Sequence, residues 1–383
     1  MSIVEPSIKG DIANRVFNKS CESMAEIPDG VIDCCVTSPP YWGLRDYGHD
    51  GQIGLEPTPE AYIARMVAVF DEVHRILRPD GTLWLNVGDS YASRRAVSRG
   101  KTHALGTSAP HLSERVNRLA GDIKEKDLVG IPWMLAFALR ARGWYLRSDI
   151  IWHKPNPMPS SVTDRCTTSH EYLFMLAKSR RYFFDAEAIK ERVTDATIAR
   201  LSQNVEAQAG SQYPGKGNGP MKAVVAGGVK SRFRDEHADE STQGRRARTN
   251  PRPVDRNRDL RKIEGADVGK ESHAEGTRTE KNLSSAYAGV DWSAVGANKR
   301  DVWTVATVGF DGAHFATFPP DLIRPCILAG SRANGLVLDP FMGSGTTARV
   351  AIEHGRRFVG YELNPDYCNL IRERLGLFGE GIA

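Results

Sequence analysis

The chain has 383 residues, of which 40% are hydrophobic and 26% charged, the balance of a globular protein with room for two or three domains. No stretch of about 18 uncharged apolar residues occurs, which excludes a transmembrane helix. Met1 to Lys19 lacks the apolar core of a secretory signal. Six cysteines, two of them adjacent as Cys34 and Cys35, do not make a disulfide framework, so the expected compartment is the reducing cytoplasm. The net charge of +4 is unevenly spread: residues 191–300 carry 20 Lys and Arg against 15 Asp and Glu, and the remainder is close to neutral. A polyanionic partner is therefore expected at that segment.

In chain order, Val31 to Thr37 reads as a buried strand that stops at Ser38-Pro39-Pro40. Pro59 opens a helix to Leu77, with Ile63, Met66, Val67, Phe70, Val73 and Leu77 at helical spacing. Pro79-Asp80-Gly81 predicts a turn and Thr82 to Val87 the next strand, followed by a polar loop from about Asp89 to Lys126. A helix from Pro132 to Leu139 and a strand from Leu146 to Trp152 follow. Residues 1–185 thus form one α/β region. Residues 186–300 form a polar, Gly-rich and basic insert, loop-rich and partly disordered when unbound, with a basic run at Arg245-Arg246-Ala247-Arg248. The α/β texture returns over 301–383: a strand at Val337 to Asp339, a helix from Thr346 to His354, a strand from Arg357 to Tyr361 and a helix from Pro365 to Leu375. Alternation of strands and helices predicts a doubly wound, mostly parallel sheet.

Two motifs carry chemistry. Val337 to Thr347 places Gly343-Ser344-Gly345 between a strand and a helix, where glycines let the backbone approach a ligand. Glu362 ends the next strand 19 residues after Gly343, a place that suits the two hydroxyls of a ribose. The pattern lacks the third glycine of dinucleotide sites and the Gly-Lys-Ser/Thr of a P-loop. A nucleoside without pyrophosphate fits it better, and S-adenosyl-L-methionine is the expected cofactor. A plain strand–turn–helix is the bland alternative. The second motif, Thr37-Ser38-Pro39-Pro40-Tyr41-Trp42, follows directly on a strand, at the end of a sheet where ligands sit. Two prolines remove N–H donors, leaving carbonyls and the Ser38 hydroxyl as acceptors. Acceptors beside an aromatic pair are what an exocyclic amino group on a planar base requires. A proline turn with Tyr41 and Trp42 in the core is the alternative.

Ser38-Pro39-Pro40-Tyr41 and Asp339-Pro340-Phe341-Met342-Gly343-Ser344-Gly345-Thr346-Thr347 resemble the catalytic and cofactor motifs of the amino DNA methyltransferases. Their order, catalytic motif first, resembles the circularly permuted beta group of that family. His314-Phe315-Ala316-Thr317-Phe318-Pro319 resembles the segment that borders the methionine end of the cofactor. Ile150 to Asn156 and His170 to Leu173 resemble motifs lining the base pocket. The resemblance implies a permuted Rossmann-like methyltransferase fold. It also implies a catalytic set of Ser38, Pro39, Pro40 and Tyr41, with Tyr41 and Trp42 stacking on the target base. Phe318, Pro319, Asp339, Phe341, Gly343, Ser344, Gly345, Thr346 and Glu362 would bind the cofactor. The insert would recognise duplex DNA, with Arg245, Arg246, Arg248 and Arg252 at phosphates.

Ser38 stands where adenine-N6 enzymes often have Asp and resembles the cytosine-N4 type, so a site-specific cytosine-N4 methyltransferase is expected, with adenine N6 as the alternative. The strand Val16 to Ser20 lacks the carboxylate that relatives place near the adenine, and Ser20 receives no role. An inactive DNA-binding subunit of the same fold is the reading from another class. Pro325-Cys326 lies in an apolar helix-like run, so its thiol is read as packed rather than nucleophilic. Cys166, His153 and His170 lack paired metal-ligand spacing, and no metal is expected. The partners expected are double-stranded DNA and a cognate restriction endonuclease, with the chain a monomer or a dimer.

Overall fold

The computed structural model describes residues 12–44, 48–92, 122–194, 296–307 and 318–376. Contacts divide the chain into two compact units, Met1–Lys190 with Asn298–Ala383, and Glu191–Ala297. In the second unit the described ends pair: Glu191 and Ala297 exchange both backbone hydrogen bonds, at 2.8 and 2.7 Å. Arg245, Arg246, Arg248 and Arg252 lie outside the described residues.

The first unit is built on one sheet of eight strands: β1 (Arg15–Phe17), β2 (Ile32–Thr37), β3 (Leu77–Val87), β4 (Tyr145–His153), β5 (His170–Ala177), β6 (Val302–Thr304), β7 (Leu336–Asp339) and β8 (Arg357–Tyr361). Their order across the sheet is β1-β8-β7-β2-β3-β5-β4-β6. Only β5 runs antiparallel to its neighbours. This is the mostly parallel sheet that the alternation predicts. Among the described residues the α-helices are α1 (Pro59–Ile76), α2 (Ile131–Ala141), α3 (Pro320–Gly330), α4 (Thr346–Glu353) and α5 (Pro365–Leu375).

The sheet separates two cores. Cys35, Leu83, Leu85, Phe174 and Leu338 pack with Tyr62, Met66 and Phe70 of α1 and with Leu135 and Leu139 of α2. On the other face Cys34, Val36, Trp84 and Val337 pack with Leu322, Ile323 and Cys326 of α3 and with Ala348 and Ala351 of α4. Successive β2 residues thus feed opposite faces, the signature of a central strand covered on both sides. α1 starts where Thr58 accepts from Ala61 N and Pro59 supplies a preset φ. At Gly330 a Cβ would stand 2.7 Å from Trp84 Nε1, so the glycine lets α3 end tight against the sheet.

Three details depart from the expected elements. β3 begins at Leu77, five residues before the expected Thr82. Its register against β2 jumps from Ile32↔Leu77 to Cys34↔Thr82, so Arg78 to Gly81 loop out as a bulge inside the strand instead of a turn before it. β5 was not foreseen as a strand. α3 continues through Pro325, one turn after its N-terminal Pro320. There Cys326 is buried and its thiol, which donates to Leu322 O, is pushed well above its usual value by burial. It is a packed thiol, as the apolar run implied. Among the described residues, no helix is long and apolar enough to cross a membrane.

Candidate active site

β2 and β7 lie side by side and parallel, with Cys34 opposite Val337 and Cys35 opposite Leu338. The loops leaving them therefore emerge at the same end of the sheet, although they are some three hundred residues apart in sequence. A side-chain bond ties them: Thr37 Oγ1, at the end of β2, donates to Asp339 Oδ1 over 2.6 Å. Thr347 Oγ1 donates to Asp339 Oδ2 over 2.6 Å, and Phe341 N to Oδ1 over 3.0 Å. Asp339 is 1% exposed, and burial raises its carboxyl to about 6. The expectation that Asp339 touches the cofactor is corrected here. Its oxygens face inward and are occupied, and it braces the two motifs against each other.

The loop after β2 is held from several sides. Tyr62 of α1 donates its hydroxyl to Pro40 O over 2.9 Å, and Gly43 N donates to Gly54 O over 2.7 Å. Trp42 is 1% exposed and its indole N–H is spent on Glu56 O at 2.8 Å. The stacking role expected of Trp42 is therefore corrected: its ring belongs to the core. Pro39 is buried, whereas Ser38, Pro40 and Tyr41 are half-buried. Tyr41 donates its hydroxyl to Glu171 Oε2 over 2.6 Å, with Asn86 Oδ1 a longer second acceptor at 3.4 Å. Its ring lies against Gly88, where a Cβ would stand 2.6 Å from Cε2. Burial first, then the charge of Glu171, pushes the Tyr41 hydroxyl well above the usual tyrosine value.

The cofactor motif forms a tight turn. Gly343 and Gly345 have φ of 54° and 79°, the left-handed region that glycine adopts without strain. Gly343 N donates to Glu362 Oε2 and Asn364 N to Oε1, both over 2.8 Å. Burial raises the Glu362 carboxyl to about 7. Asn18, just after β1, donates to the carbonyls of Glu362 and Leu363 at 2.9 and 3.2 Å and so steadies the loop that carries the carboxylate. Phe341, Gly343 and Glu362 are half-buried, whereas Ser344, Gly345 and Thr346 are buried and shape the turn. Ser344 is 1% exposed with its hydroxyl toward Thr346, so any approach of Ser344 to a cofactor is through its backbone. Phe318 is partly buried against the α3–α4 core, and Pro319 caps α3. His314 to Thr317 lie outside the described residues.

Three polar residues that carried no individual role in the sequence join the site. Asn86 is on β3, Glu171 on β5 and Lys154 just past β4. Asn86 Nδ2 donates to Glu171 Oε2 at 3.2 Å, and Lys154 Nζ pairs with Glu171 Oε1. Lys154 also stands 4.3 Å over the Trp152 ring. Only the antiparallel pairing of β5 with both β3 and β4 gathers them, and no local spacing signals that.

The arrangement offers one face with acceptors beside an aromatic ring, and a neighbouring glycine turn with a carboxylate. Comparison with known proteins shows the family. The family model described as DNA methylase matches residues 32–373. The chain is 38% identical over 352 residues to the Type II methyltransferase M.Cfr9I of Citrobacter freundii, covering 92% of this chain and 84% of the relative. It is 37% identical over 354 residues to the Type II methyltransferase M.SmaI of Serratia marcescens, covering 92% and 87%. Among solved structures, the PvuII DNA methyltransferase (cytosine-N4-specific) aligns with a TM-score of 0.50 and 13% identity, over 96% of this chain and 90% of that one.

Proposed function

The chain belongs to the DNA methylase family of amino-methyltransferases, with S-adenosyl-L-methionine as cofactor, and from that premise we propose that its target is the exocyclic N4 of cytosine in duplex DNA. The observation that carries the reading is the Thr37–Asp339 bond between adjacent strand ends, which joins the Ser38 loop and the Gly343 turn. The cytosine assignment rests on Ser38 as the first residue of the catalytic motif.

S-adenosyl-L-methionine bound beside this loop supplies an electrophilic sulfonium methyl. Glu362 fits the ribose of that group: its carboxylate is fixed by two backbone N–H groups and keeps lone pairs for hydroxyl donors. Gly343 admits the nucleoside because no Cβ stands in its way, and Phe341 gives it an apolar wall. Phe318 and Pro319 would border its methionine end. The target base must leave the stack, since its amino group is otherwise out of reach. Tyr41 then stacks on it, a contact worth about 1–3 kcal/mol. The Ser38 hydroxyl and the Pro39 carbonyl accept the two amino hydrogens. This draws the nitrogen toward sp³ geometry and points its lone pair at the methyl. The nitrogen releases one proton to water after transfer. Most of the rate gain is placement.

Residues 186–300 are proposed to hold the duplex through phosphates, which makes binding salt-dependent. The Type II names of the relatives support a cognate restriction endonuclease as the companion of this chain. The test is incubation with labelled S-adenosyl-L-methionine and plasmid DNA, followed by digestion to nucleosides. Label in N4-methylcytosine is expected. Label in N6-methyladenine keeps the class and moves the target base. Label in 5-methylcytosine overturns the mechanism. DNA binding without cofactor binding identifies an inactive module instead.

A further inference from the structure

The loop that carries Ser38 to Tyr41 packs against a second loop, residues 51–56, which forms neither helix nor strand. Gly43 N donates to Gly54 O over 2.7 Å, and the Trp42 indole donates to Glu56 O over 2.8 Å. A Cβ at Gly54 would stand 3.3 Å from both Pro40 Cβ and Tyr41 O, so the two backbones meet closely. Arg65 of α1 grips this second loop. Its Nη1 donates to Gln52 O at 2.9 Å and to Glu56 Oε1 at 3.1 Å, and its Nη2 to Gly51 O at 2.5 Å. Nε and Nη2 also donate to Glu22 Oε1 and Oε2 in a fork, at 2.7 and 3.1 Å. A guanidinium has five N–H donors, and all five are engaged here. Glu56 accepts Gly54 N on its other oxygen at 2.9 Å, and its side chain is 9% exposed. An isolated surface ion pair contributes little, but a forked pair inside a network holds one geometry. Arg65 stands between Tyr62 and Met66, both fully buried, so the helix that carries it is a fixed support.

We infer that Arg65 is a positioning residue for methyl transfer: by clamping residues 51–56 to α1 and to Glu22, it fixes where the Ser38–Tyr41 loop presents its groups. The inference rests on the methyltransferase reading and deepens it. Arg65 acts on the catalytic loop through Glu56 and Gly54, while Tyr62, one turn earlier on α1, acts directly through Pro40 O. A misplacement of about 1 Å in a reacting group costs on the order of a hundredfold in rate. The shape of the guanidinium matters here as much as its charge. A lysine presents three donors from a single point, so Arg65→Lys keeps the charge but cannot reach Glu22, Glu56 and two carbonyls together.

Arg65→Lys, Glu56→Gln and the double variant test it. Methyl transfer to plasmid DNA gives kcat and KM, and calorimetry gives the affinity for S-adenosyl-L-methionine and the number of sites per chain. Arg65→Lys is expected to lower kcat by about tenfold to a hundredfold, with KM for DNA, cofactor affinity and cofactor sites per chain unchanged. Gln at position 56 has one acceptor oxygen for two donors, Arg65 and Gly54 N, so Glu56→Gln lowers kcat as well. In the Arg65→Lys background it adds little, because the clamp is already open. Wild-type kcat in Arg65→Lys overturns the inference. So does a fall in kcat matched by an equal loss of cofactor-binding chains, which marks Arg65 as merely structural, and so do single losses that multiply in the double variant. Glu56→Gln decides by the same readings if Arg65→Lys fails to fold. A wild-type chain that labels no DNA overturns the methyltransferase reading and this inference with it. A wild-type chain that labels DNA, with variants that match its kcat, overturns this inference alone.

Discussion

Glu362 leaves β8 with each carboxylate oxygen accepting a backbone N–H, yet burial keeps its proton affinity high, at about 7 against an ordinary value of 4.5. Ribose hydroxyls donating to it would favour the ionised form, so cofactor binding lowers its pKa and releases a proton. By linkage, affinity tightens as pH rises through 7 and weakens below it, about tenfold between pH 8 and pH 6. Titration calorimetry across that range reads the slope, and Glu362→Gln should flatten it. A slope that persists in the variant removes Glu362 from the ribose. The place of Glu362 beside the glycine turn was legible in the sequence because strand, turn and carboxylate follow one another locally. Asp339 was legible as part of a motif but not in its role: its partner Thr37 is 302 positions away. Trp42 was misassigned because alternation along one loop does not say which of two adjacent rings turns inward. Only the Glu56 carbonyl, waiting for the indole, decides it.

At the scale of elements, the end of β3 governs the Tyr41 ring. Gly88 follows the strand directly, and the Tyr41 ring occupies the space its missing Cβ leaves. Gly88→Ala would force a contact of 2.6 Å with the ring and push it off its seat. Methyl transfer should fall by about tenfold or more, with cofactor affinity unchanged, because Glu362 and Gly343 lie across the sheet, past the ends of β8 and β7. Single-turnover transfer beside equilibrium binding separates the two effects; equal losses in both would mean that the substitution disturbs the sheet instead. Most strands and helices announced themselves through apolar spacing and through Pro and Gly at their ends, as α5 does with Pro365 and Gly376. β5 did not. His170 and Glu171 open it and its remaining residues are a plain apolar run, which has no period to separate strand from helix. Its position between β3 and β4 gives Glu171 its partners, so the network behind Tyr41 was invisible for the same reason that the strand was.

At the scale of the whole molecule, the catalytic unit is made of two stretches of sequence, and their junction is internal to the sheet. β2 pairs with β3 on one side and β7 on the other, and β1 pairs with β8, so each stretch supplies strands to the other's neighbourhood. The ends of the intervening unit pair with each other at Glu191 and Ala297. A chain in which residues 192–296 are replaced by a short Gly-containing turn should therefore close without opening the sheet. The expected product folds cooperatively and binds S-adenosyl-L-methionine with unchanged affinity. It loses sequence-specific methylation and most of its salt-dependent affinity for duplex DNA, because the excised segment takes with it 18 Lys and Arg against 14 Asp and Glu. Urea unfolding, cofactor titration and DNA binding at two salt concentrations read the three outcomes separately. An excised chain that folds and still methylates its site would locate sequence recognition on the catalytic unit. One that binds cofactor only with the segment restored would make residues 192–296 part of the cofactor site rather than a reader of DNA.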